Sequence, residues 1–208
     1  MRVLIVSALI VLADQASKLA VKGFSFPGLG LEWKGMTYGQ SIPVVGEFFR
    51  LTYIENPGMA FGIDVGGKIF FSVLSILASV AIFVYMMRVR RAPLGFRVAL
   101  SMILGGALGN LIDRVFYGVL YGEAPLFEGK VVDFLDMDFF NIAIGSYHLT
   151  RWPVFNIADA SVTVGVLLLL LFHRAIEEKT GSPVATAVAT DSPVSSSPHP
   201  APGSPVGG

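Results

Sequence analysis

IFFSVLSILASVAIFVYMM, residues 69–87, is a run of apolar and small side chains that contains no charged residue. An α-helix rises about 1.5 Å per residue, so about 20 such residues cross the hydrocarbon core of a bilayer. Because the run is apolar on every face of a helix, a small soluble protein would leave part of it in water. The segment therefore predicts a transmembrane helix.

Three other segments have a similar length and character, at about residues 3–21, 94–112 and 154–172. Of the 208 residues, 53% are hydrophobic and only 14% are charged, whereas about 25% of the residues of a soluble domain are charged. We therefore predict a membrane all-α fold, a four-helix transmembrane bundle. The first segment is expected to be retained rather than removed as a signal peptide, because its apolar pattern continues through Asp14 to Val21.

The charged and metal-binding side chains exclude several classes of function. Lys and Arg number 15, as do Asp and Glu, so the charge balance gives no indication of a nucleic-acid partner. The absence of cysteine excludes disulfides, thiolate nucleophiles and cysteine-ligated metals. The three histidines, His148, His173 and His199, lack the spacing of metal ligands. We expect neither a metal nor a cofactor.

Arginine placement predicts the orientation of the helices. The short loop between the second and third segments carries four arginines, and such loops stay in the cytoplasm: Arg88, Arg90, Arg91 and Arg97. Both termini are then cytoplasmic, and the connections 22–68 and 115–152 lie on the outer side.

The two outer connections are predicted to form a small β-rich cap. Residues 47–54 alternate and are rich in aromatic and β-branched side chains, which is typical of a strand, and residues 130–134 are a candidate partner strand. Residues 1–175 then make up the four-span domain. Residues 180–208 are rich in Pro, Ser, Ala and Gly and predict a disordered cytoplasmic tail.

Four carboxylates are predicted to converge near the outer surface. Asp14 lies in the outer half of the first span, Asp113 at the outer end of the third, and Asp133 in an outer loop. The fourth span runs inward, which places Asp159 about 9 Å below the outer boundary. Because an ionisable group at this depth is costly, each such group is a candidate functional residue.

Each acidic residue also has a structural interpretation. Asp14 and Lys18 are four residues apart and can pair on one helix face, and Asp113 beside Arg114 suits an interfacial anchor. Asp159 has no basic residue within a helical turn or two, so a structural reason for it is harder to find. Gly105, Gly106 and Gly109 are typical of close helix packing rather than of a phosphate cradle.

The chemistry available to these groups is that of a carboxylate pair. Two carboxylates in a dry site cannot both ionise, so they share a proton; one can then activate water while the other protonates a leaving group. In the pattern Asn-x-x-Asp, which occurs at Asn110–Asp113 and again at Asn156–Asp159, an amide can hold a neighbouring carboxylate in one rotamer. Ser17 and Lys18 are a weaker nucleophile–base candidate, because successive helical residues point about 100° apart.

Five motifs occur in order along these spans: Asp14-Gln15-x-x-Lys18, Asn56-Pro57-Gly58-Met59-Ala60-Phe61-Gly62, Gly106-Ala107-Leu108-Gly109-Asn110-Leu111-Ile112-Asp113-Arg114, Val131-Val132-Asp133-Phe134 and Phe155-Asn156-Ile157-Ala158-Asp159-Ala160. This set resembles the bacterial lipoprotein signal peptidase family, or signal peptidase II, over about residues 1–175. The resemblance implies an intramembrane aspartic endopeptidase of the bacterial inner membrane. It implies cleavage of diacylglyceryl-modified prolipoproteins just before the lipidated cysteine, near the periplasmic face, by a protein that acts without a cofactor and is expected to be a monomer in contact with membrane lipid.

The resemblance also implies roles for individual residues. Asp133 and Asp159 are the catalytic pair. The other matched positions support the pair and bind substrate: Asp14, Lys18, Asn56, Gly58, Asn110, Asp113, Arg114, Asn156 and Ala158. Among them, Asn56 is expected to hold the substrate backbone, and Arg114 to keep the network around Asp113 in shape.

Some features depart from the family pattern or leave alternatives open. Residue 59 is Met where a smaller residue is common, and the segments 115–132 and 136–152 are longer than usual. The second of these offers Asp136 and Asp138 as rival carboxylates to Asp133. A proton-coupled transporter that uses the same acids as relays is the alternative function, although four spans with an outer acid cluster suit it poorly.

Overall fold

The computed structural model describes residues 2–58, 67–138, 142–144, 147–149 and 151–180. Its helices are α1 (Leu4–Lys22), α2 (Gly67–Arg88), α3 (Leu94–Leu120) and α4 (Ile157–Thr180). The first three are long and apolar enough to cross a membrane, and the apolar part of α4, Ile157–Phe172, is shorter. One compact unit comprises Met1–Phe172, and a second begins at His173.

Two helix boundaries differ from those predicted by hydropathy. Helix α3 continues past Ile112 through a π-helical turn at Asp113–Tyr117. Helix α4 begins at Ile157 rather than at 154, because residue 155 pairs with β5 before the helix starts. Asp159 therefore lies in the first turn of α4, and its depth of about 9 Å below the outer boundary stays a prediction.

Glycines let α3 approach its neighbours closely. A Cβ atom on Gly106 would lie 2.3 Å from the Ala158 carbonyl oxygen, and one on Gly109 would lie 2.6 Å from Asp14 Oδ2. Gly105 faces the backbone of Ser7 on α1, 3.0 Å from the position of such a Cβ. These contacts confirm the prediction that the glycines are close-packing positions, and they bring α1 and α4 against the same face of α3.

The chain also forms small antiparallel sheets, which confirms the β-rich part of the prediction. The first is a hairpin of β1 (Phe24–Phe26) and β2 (Leu31–Trp33). A three-stranded sheet has the order β3–β4–β5, from Ser41–Val45, Phe49–Asn56 and Val131–Met137. Strands β6 (Ile142–Ile144) and β7 (Tyr147–Leu149) form a second hairpin.

The pairing of β4 with β5 confirms the predicted partnership between the two outer connections. Ile54 lies opposite Asp133 and Arg50 lies opposite Asp136, with an irregularity in the register between Leu51 and Ile54. Side chains from both connections and from α1 and α3 form an apolar cluster under the sheet: Val21, Tyr53, Tyr117, Val132 and Phe134. The sheet is thereby fixed to the ends of α1 and α3, next to Asp133. The predicted cytoplasmic location of the termini and outer location of the sheets stay predictions.

Candidate active site

Asp133 and Asp159 reach one site from two different elements. Asp133 is in the middle of β5 and its residue is 2% exposed, whereas Asp159 is in the first turn of α4 and is partly exposed. Asn156 joins them. Its side-chain amide donates to Asp133 Oδ1 at 2.6 Å, and its backbone N–H donates to Asp159 Oδ2 at 3.3 Å. A single residue therefore fixes both carboxylates.

The start of α4 also gives Asp159 a structural role. The backbone N–H of Asp159 donates to Asn156 Oδ1 at 2.9 Å, while the Asp159 carboxylate accepts from the backbone N–H of Asn156. Such a reciprocal pair satisfies two N–H groups that a helix start otherwise leaves without partners. This cap is the structural reason for Asp159 that was hard to find in the sequence. It also holds the Asp159 carboxylate in one place.

Asn110 connects the site to the interior of the bundle. Its side-chain amide donates to Asp159 Oδ1 at 2.7 Å, and its Oδ1 accepts from Lys18 Nζ at 2.9 Å and from Asn156 Nδ2 at 3.1 Å. The two Asn-x-x-Asp patterns therefore interlock. Asn110 binds the acid of the second pattern rather than Asp113 of its own.

Behind the two candidate catalytic acids lies a buried ionic triad of Asp14, Lys18 and Asp113. Lys18 Nζ lies 2.8 Å from a carboxylate oxygen of each acid, and all three side chains are 0% exposed. The predicted pair of Asp14 and Lys18 is thus present and has a third member. Because charges removed from water need full compensation by opposite charges and hydrogen bonds, the triad restricts where α1 and α3 can lie.

Each acid of the triad holds the backbone immediately before a candidate catalytic residue. Asp14 Oδ1 accepts from the N–H of Ala158 at 2.9 Å, and Ala158 precedes Asp159. Asp113 Oδ2 accepts from the N–H of Val132 at 3.1 Å, and Val132 precedes Asp133. The triad therefore positions the two acids through their neighbours in the chain.

Gln15 belongs to the same network, although no role was assigned to it from the sequence. Its amide nitrogen donates to Asp113 Oδ1 at 2.8 Å and to the Gly109 carbonyl at 3.0 Å, and its Oε1 accepts from the Tyr117 hydroxyl at 3.1 Å. The sequence feature that could have identified Gln15 is its position next to Asp14 in a predicted membrane span. An amide there needs buried partners.

Asn56 and Gly58 form the edge of the site at the end of β4. The side chain of Asn56 acts on Asp133 by lowering the pKa of its carboxyl group, and the Oδ1 of Asn56 accepts from the Gly58 N–H at 2.9 Å. Gly58 has a φ of +94°, and a Cβ there would lie 2.8 Å from the Phe71 ring. Only glycine suits this position. Met59 lies outside the described residues.

The expected support of the Asp113 network by Arg114 would be electrostatic rather than through a hydrogen bond. The hydrogen-bond partners of Asp113 among the described residues are Lys18, Gln15 and Val132 rather than Arg114. The charge of Arg114 instead interacts with all three nearby carboxylates, those of Asp113, Asp159 and Asp133. The π-helical turn begins at Asp113 and contains both residues. A π turn changes the direction of the side chains that follow it in a helix.

The surroundings of Asp133 favour its protonated form. Burial raises the pKa of its carboxyl group, and the charge of Asp159 raises it further. The hydrogen bond from Asn156, the charge of Lys18 and the hydrogen bond from Asn56 act in the opposite direction, and the resulting pKa is about 7. A carboxyl group with this pKa holds a proton through much of the neutral range, as a shared-proton pair requires.

The rival carboxylate of Asp136 does not join this pair. Asp136 accepts a 2.7 Å hydrogen bond from the Thr52 hydroxyl, and its Oδ1 lies 3.3 Å from Arg151 Nε. Because side chains alternate along a strand, Asp136 and Asp133 point to opposite faces of β5. The carboxylate of Asp136 therefore serves the contact between the sheet and the segment that leads to α4.

A cavity of about 330 Å³ opens beside Asp159. Its lining is mainly apolar and comes from α4 and the segment before it: Trp152, Phe155, Asp159, Ala160, Thr163 and Val164. Within the part of the chain that the structure describes, no three His, Cys, Asp or Glu side chains are grouped to hold a metal ion. The arrangement at hand is a carboxylate pair with a fixed amide between its members and an apolar space on one side.

Comparisons with known proteins identify the family of the chain. Residues 6–174 match the family model described as signal peptidase (SPase) II. The lipoprotein signal peptidase of Syntrophus aciditrophicus is 35% identical over 173 residues, which cover 81% of this chain and 89% of that protein. The one from Halothermothrix orenii is 35% identical over 179 residues, covering 86% and 99%.

Solved structures give the same result for the fold. A bacterial membrane enzyme determined by the in meso method at 2.3 Å resolution superposes with a TM-score of 0.62 at 29% identity, covering 88% of this chain and 92% of that one. A second, at 1.9 Å resolution, has a TM-score of 0.61 at 31% identity, covering 82% and 91%. The chain therefore belongs to the signal peptidase II family and is a membrane protein with lipoprotein signal peptidase function.

Proposed function

We propose that this protein is an aspartic endopeptidase that cuts diacylglyceryl-modified prolipoproteins just before the lipidated cysteine, with Asp133 and Asp159 as its catalytic pair. The observation that carries the proposal is the placement of both carboxylates by Asn156, one buried and one partly exposed. Family membership supports the substrate class, and the geometry supports the choice of these two acids among the six carboxylates discussed above.

The first chemical step uses the two acids in opposite protonation states. Asp133 holds the shared proton, because burial and the charge of Asp159 favour its neutral form. The Asp159 carboxylate accepts a proton from a water molecule as the water oxygen attacks the scissile carbonyl carbon. Asp133 donates its proton to the carbonyl oxygen, which gives a neutral tetrahedral diol.

The second step breaks the peptide bond and restores the pair. Asp159 transfers the proton it took from water to the leaving nitrogen as the carbon–nitrogen bond breaks, and a diol hydroxyl returns a proton to Asp133. The products are a signal peptide with a new carboxyl end and a lipidated cysteine with a free amino group. One water molecule is consumed, and the pair again shares one proton.

Neighbouring groups suit the binding of a peptide in this place. The side chain of Asn56 lies at the end of β4, where an extended backbone can approach; its Oδ1 already accepts from the Gly58 N–H and has a second acceptor position. Arg114 supplies a positive charge close to both acids, which favours the anionic character that develops on the attacked carbonyl. The apolar cavity beside Asp159 suits an apolar part of the substrate.

The site would act at the outer face of the bacterial inner membrane. Four arginines mark the other end of α2 and α3: Arg88, Arg90, Arg91 and Arg97. Since positive loops stay in the cytoplasm, the end of α3 that carries Asp113 would face the periplasm. The proton-coupled transporter has no support, because the relatives are peptidases and the four acids form one layer rather than a path through the bilayer.

The proposal is tested with purified protein in detergent and a synthetic prolipoprotein in two forms, with and without the diacylglyceryl group on its cysteine. We expect cleavage of the lipidated form alone, and a product mass that places the new amino end at the cysteine. Equal cleavage of both forms would contradict the substrate class. Cleavage elsewhere in the precursor would contradict the assigned peptide bond.

A further inference from the structure

A second group of charged side chains lies beside the active site, outside the five sequence segments quoted above. Glu55, on β4, accepts hydrogen bonds from Lys22, from Lys130 at 2.9 Å and from the Tyr53 hydroxyl at 2.7 Å. We call these four residues the Glu55 cluster. The side chains of Glu55 and Lys22 are 7% and 6% exposed, so the carboxylate of Glu55 is almost fully enclosed by its donors.

The cluster joins three parts of the chain that lead into the active site. Lys22 is the last residue of α1, whose middle carries Asp14 and Lys18. Lys130 directly precedes β5, which carries Asp133. Lys22 also lies 2.8 Å from Glu123 and 4.2 Å from the centre of the Tyr121 ring, so the segment after α3 is attached as well. Buried charge contacts of this kind are sensitive to small displacements.

The register of the sheet connects Glu55 with the catalytic residues. Ile54, Glu55 and Asn56 lie opposite Asp133, Val132 and Val131. The regular pairing of β4 with β5 is interrupted between Leu51 and Ile54 and resumes at Ile54, so the last three residues of β4 form a separate short stretch of pairing that Glu55 joins to α1 and to Lys130. Side chains alternate along a strand, so Glu55 holds this segment from the face opposite to Asn56.

We propose that Glu55 is a positioning residue for the peptidase reaction: its contacts with Lys22 and Lys130 place Asn56 against Asp133. Glu55 stays ionised over the working range, because hydrogen bonds from Lys22, Lys130 and Tyr53 outweigh burial and lower its pKa to about 2. The proposal rests on the assignment of Asp133 to the catalytic pair. It adds that the end of β4 needs an anchor outside the five segments quoted above.

The direction in which Glu55→Gln shifts the pKa of Asp133 distinguishes a positioning role of Glu55 from a direct effect of its charge. The hydrogen bond from Asn56 lowers the pKa of Asp133, so its loss would raise that pKa. Removing the negative charge of Glu55 would act through space in the opposite direction and would lower it. The charged groups that face Asp133 are Asp159, Lys18 and Arg114, and Glu55→Gln leaves all three unchanged.

The experiment compares Glu55→Gln, Glu55→Asp and the native protein on the lipidated precursor, with Glu47→Gln as the matched control. Glu47 pairs with Arg50 on the same sheet and its side chain is 78% exposed. We expect Glu55→Gln to lower kcat about 10- to 100-fold, since small displacements of a catalytic group have effects of this size. Because Asn56 is also proposed to bind the substrate backbone, we expect KM to rise as well, and the alkaline limb of the pH–rate profile to move to higher pH. Glu55→Asp should restore part of the rate, and Glu47→Gln should behave as native.

Several outcomes would overturn the proposal. Glu55→Gln with native kcat and pH profile would do so, and so would a shift of the alkaline limb to lower pH. If Glu55→Gln does not fold, Lys130→Met decides, because Lys130 is partly exposed and Lys22 and Tyr53 still bind Glu55. A loss of kcat smaller than that expected for Glu55→Gln supports the proposal, and a native kcat overturns it; the pH shift does not decide here, because loss of the Lys130 charge by itself raises the pKa of Asp133. Failure of the native protein to cleave would instead count against the proposed function.

Discussion

The side-chain amide of Asn110, on α3, donates a 2.7 Å hydrogen bond to Asp159, on α4. Asn110 also accepts from Lys18 of the buried triad. The partly exposed acid of the pair is thereby connected, through one amide, to the most buried charges of the bundle. The position of Asp159 consequently depends on the packing of α1 and α3 as well as on its own helix.

Replacing Asn110 with Leu tests this connection. The variant keeps a similar volume but removes the bonds to Asp159, Lys18 and Asn156. A hydrogen bond to a charged group contributes about 1.5–3 kcal/mol, so we expect kcat to fall by about 10- to 100-fold or more. Steady-state cleavage assays measure the change, with the exposed Gln40→Leu as control. A native kcat in Asn110→Leu would show that the connection has no role in catalysis.

Replacing Lys18, the cation of the triad, should lower the stability of the fold more than replacing an exposed lysine does. Lys18→Met removes the buried cation that pairs with both Asp14 and Asp113, which costs about 3–5 kcal/mol. Thermal unfolding in detergent measures the loss, and Lys34→Met, at an exposed lysine, is the control. Adding Asp14→Asn to Lys18→Met should recover part of the stability, because one unpaired charge is then removed. Equal melting temperatures for Lys18→Met and Lys34→Met would contradict the structural role of the triad.

Gly109 is the glycine whose replacement should disturb the site most directly. In Gly109→Ala the new Cβ would lie 2.6 Å from Asp14 Oδ2 and 3.2 Å from the Ala158 Cβ. Overpacking of this kind costs about 1–3 kcal/mol, and here it displaces the residue before Asp159. We expect lower stability together with lower kcat, measured by thermal unfolding and cleavage. Gly28→Ala is the control, since no atom lies within 4 Å of its added Cβ.

The raised pKa of Asp133 predicts two pH dependences. The folded protein keeps a proton up to about pH 7 that the unfolded chain, with a carboxyl pKa of 3.8, has already released. This contribution to stability is full below the unfolded pKa and is lost as the pH rises through about 7. The melting temperature of Asp133→Asn relative to native should therefore increase from pH 5 to pH 8.

The same proton is needed for catalysis. In the native protein, kcat/KM should fall above about pH 7, where Asp133 loses its proton. Cleavage rates measured across this range at constant ionic strength check the expectation. A rate that stays level up to pH 9, together with a pH-independent difference in melting temperature, would show that Asp133 does not hold the shared proton.

Some parts of the fold could be predicted from the sequence because they depend on local composition. The membrane class follows from apolar runs such as residues 69–87, and the β4–β5 pairing from an alternating segment with a short partner. The close packing at Gly106 was also predictable, since small residues allow helix backbones to approach in a membrane.

Other features depend on how helices are rotated against one another, which hydropathy does not report. One such feature is the hydrogen bond from Asn110 to Asp159. The spacing of the Asn-x-x-Asp pattern suggested instead that Asn110 would bind Asp113 of its own helix. The start of α4 is another. Residues 154–156 are apolar enough to extend a span, but the backbone of Phe155 pairs with Leu135 and Asn156 caps the helix.

Single-turnover cleavage by Asp133→Asn, Asp159→Asn and Asp138→Asn tests the central claim most directly. Asn keeps the shape of the side chain and removes the shareable proton, and Asp138 controls for the loss of a nearby carboxylate outside the pair. Thermal unfolding would establish that each variant is folded. We predict that the first two leave the lipidated precursor whole while Asp138→Asn cuts at the native rate. Near-native cleavage by a folded Asp133→Asn or Asp159→Asn variant would contradict the assignment of the catalytic pair.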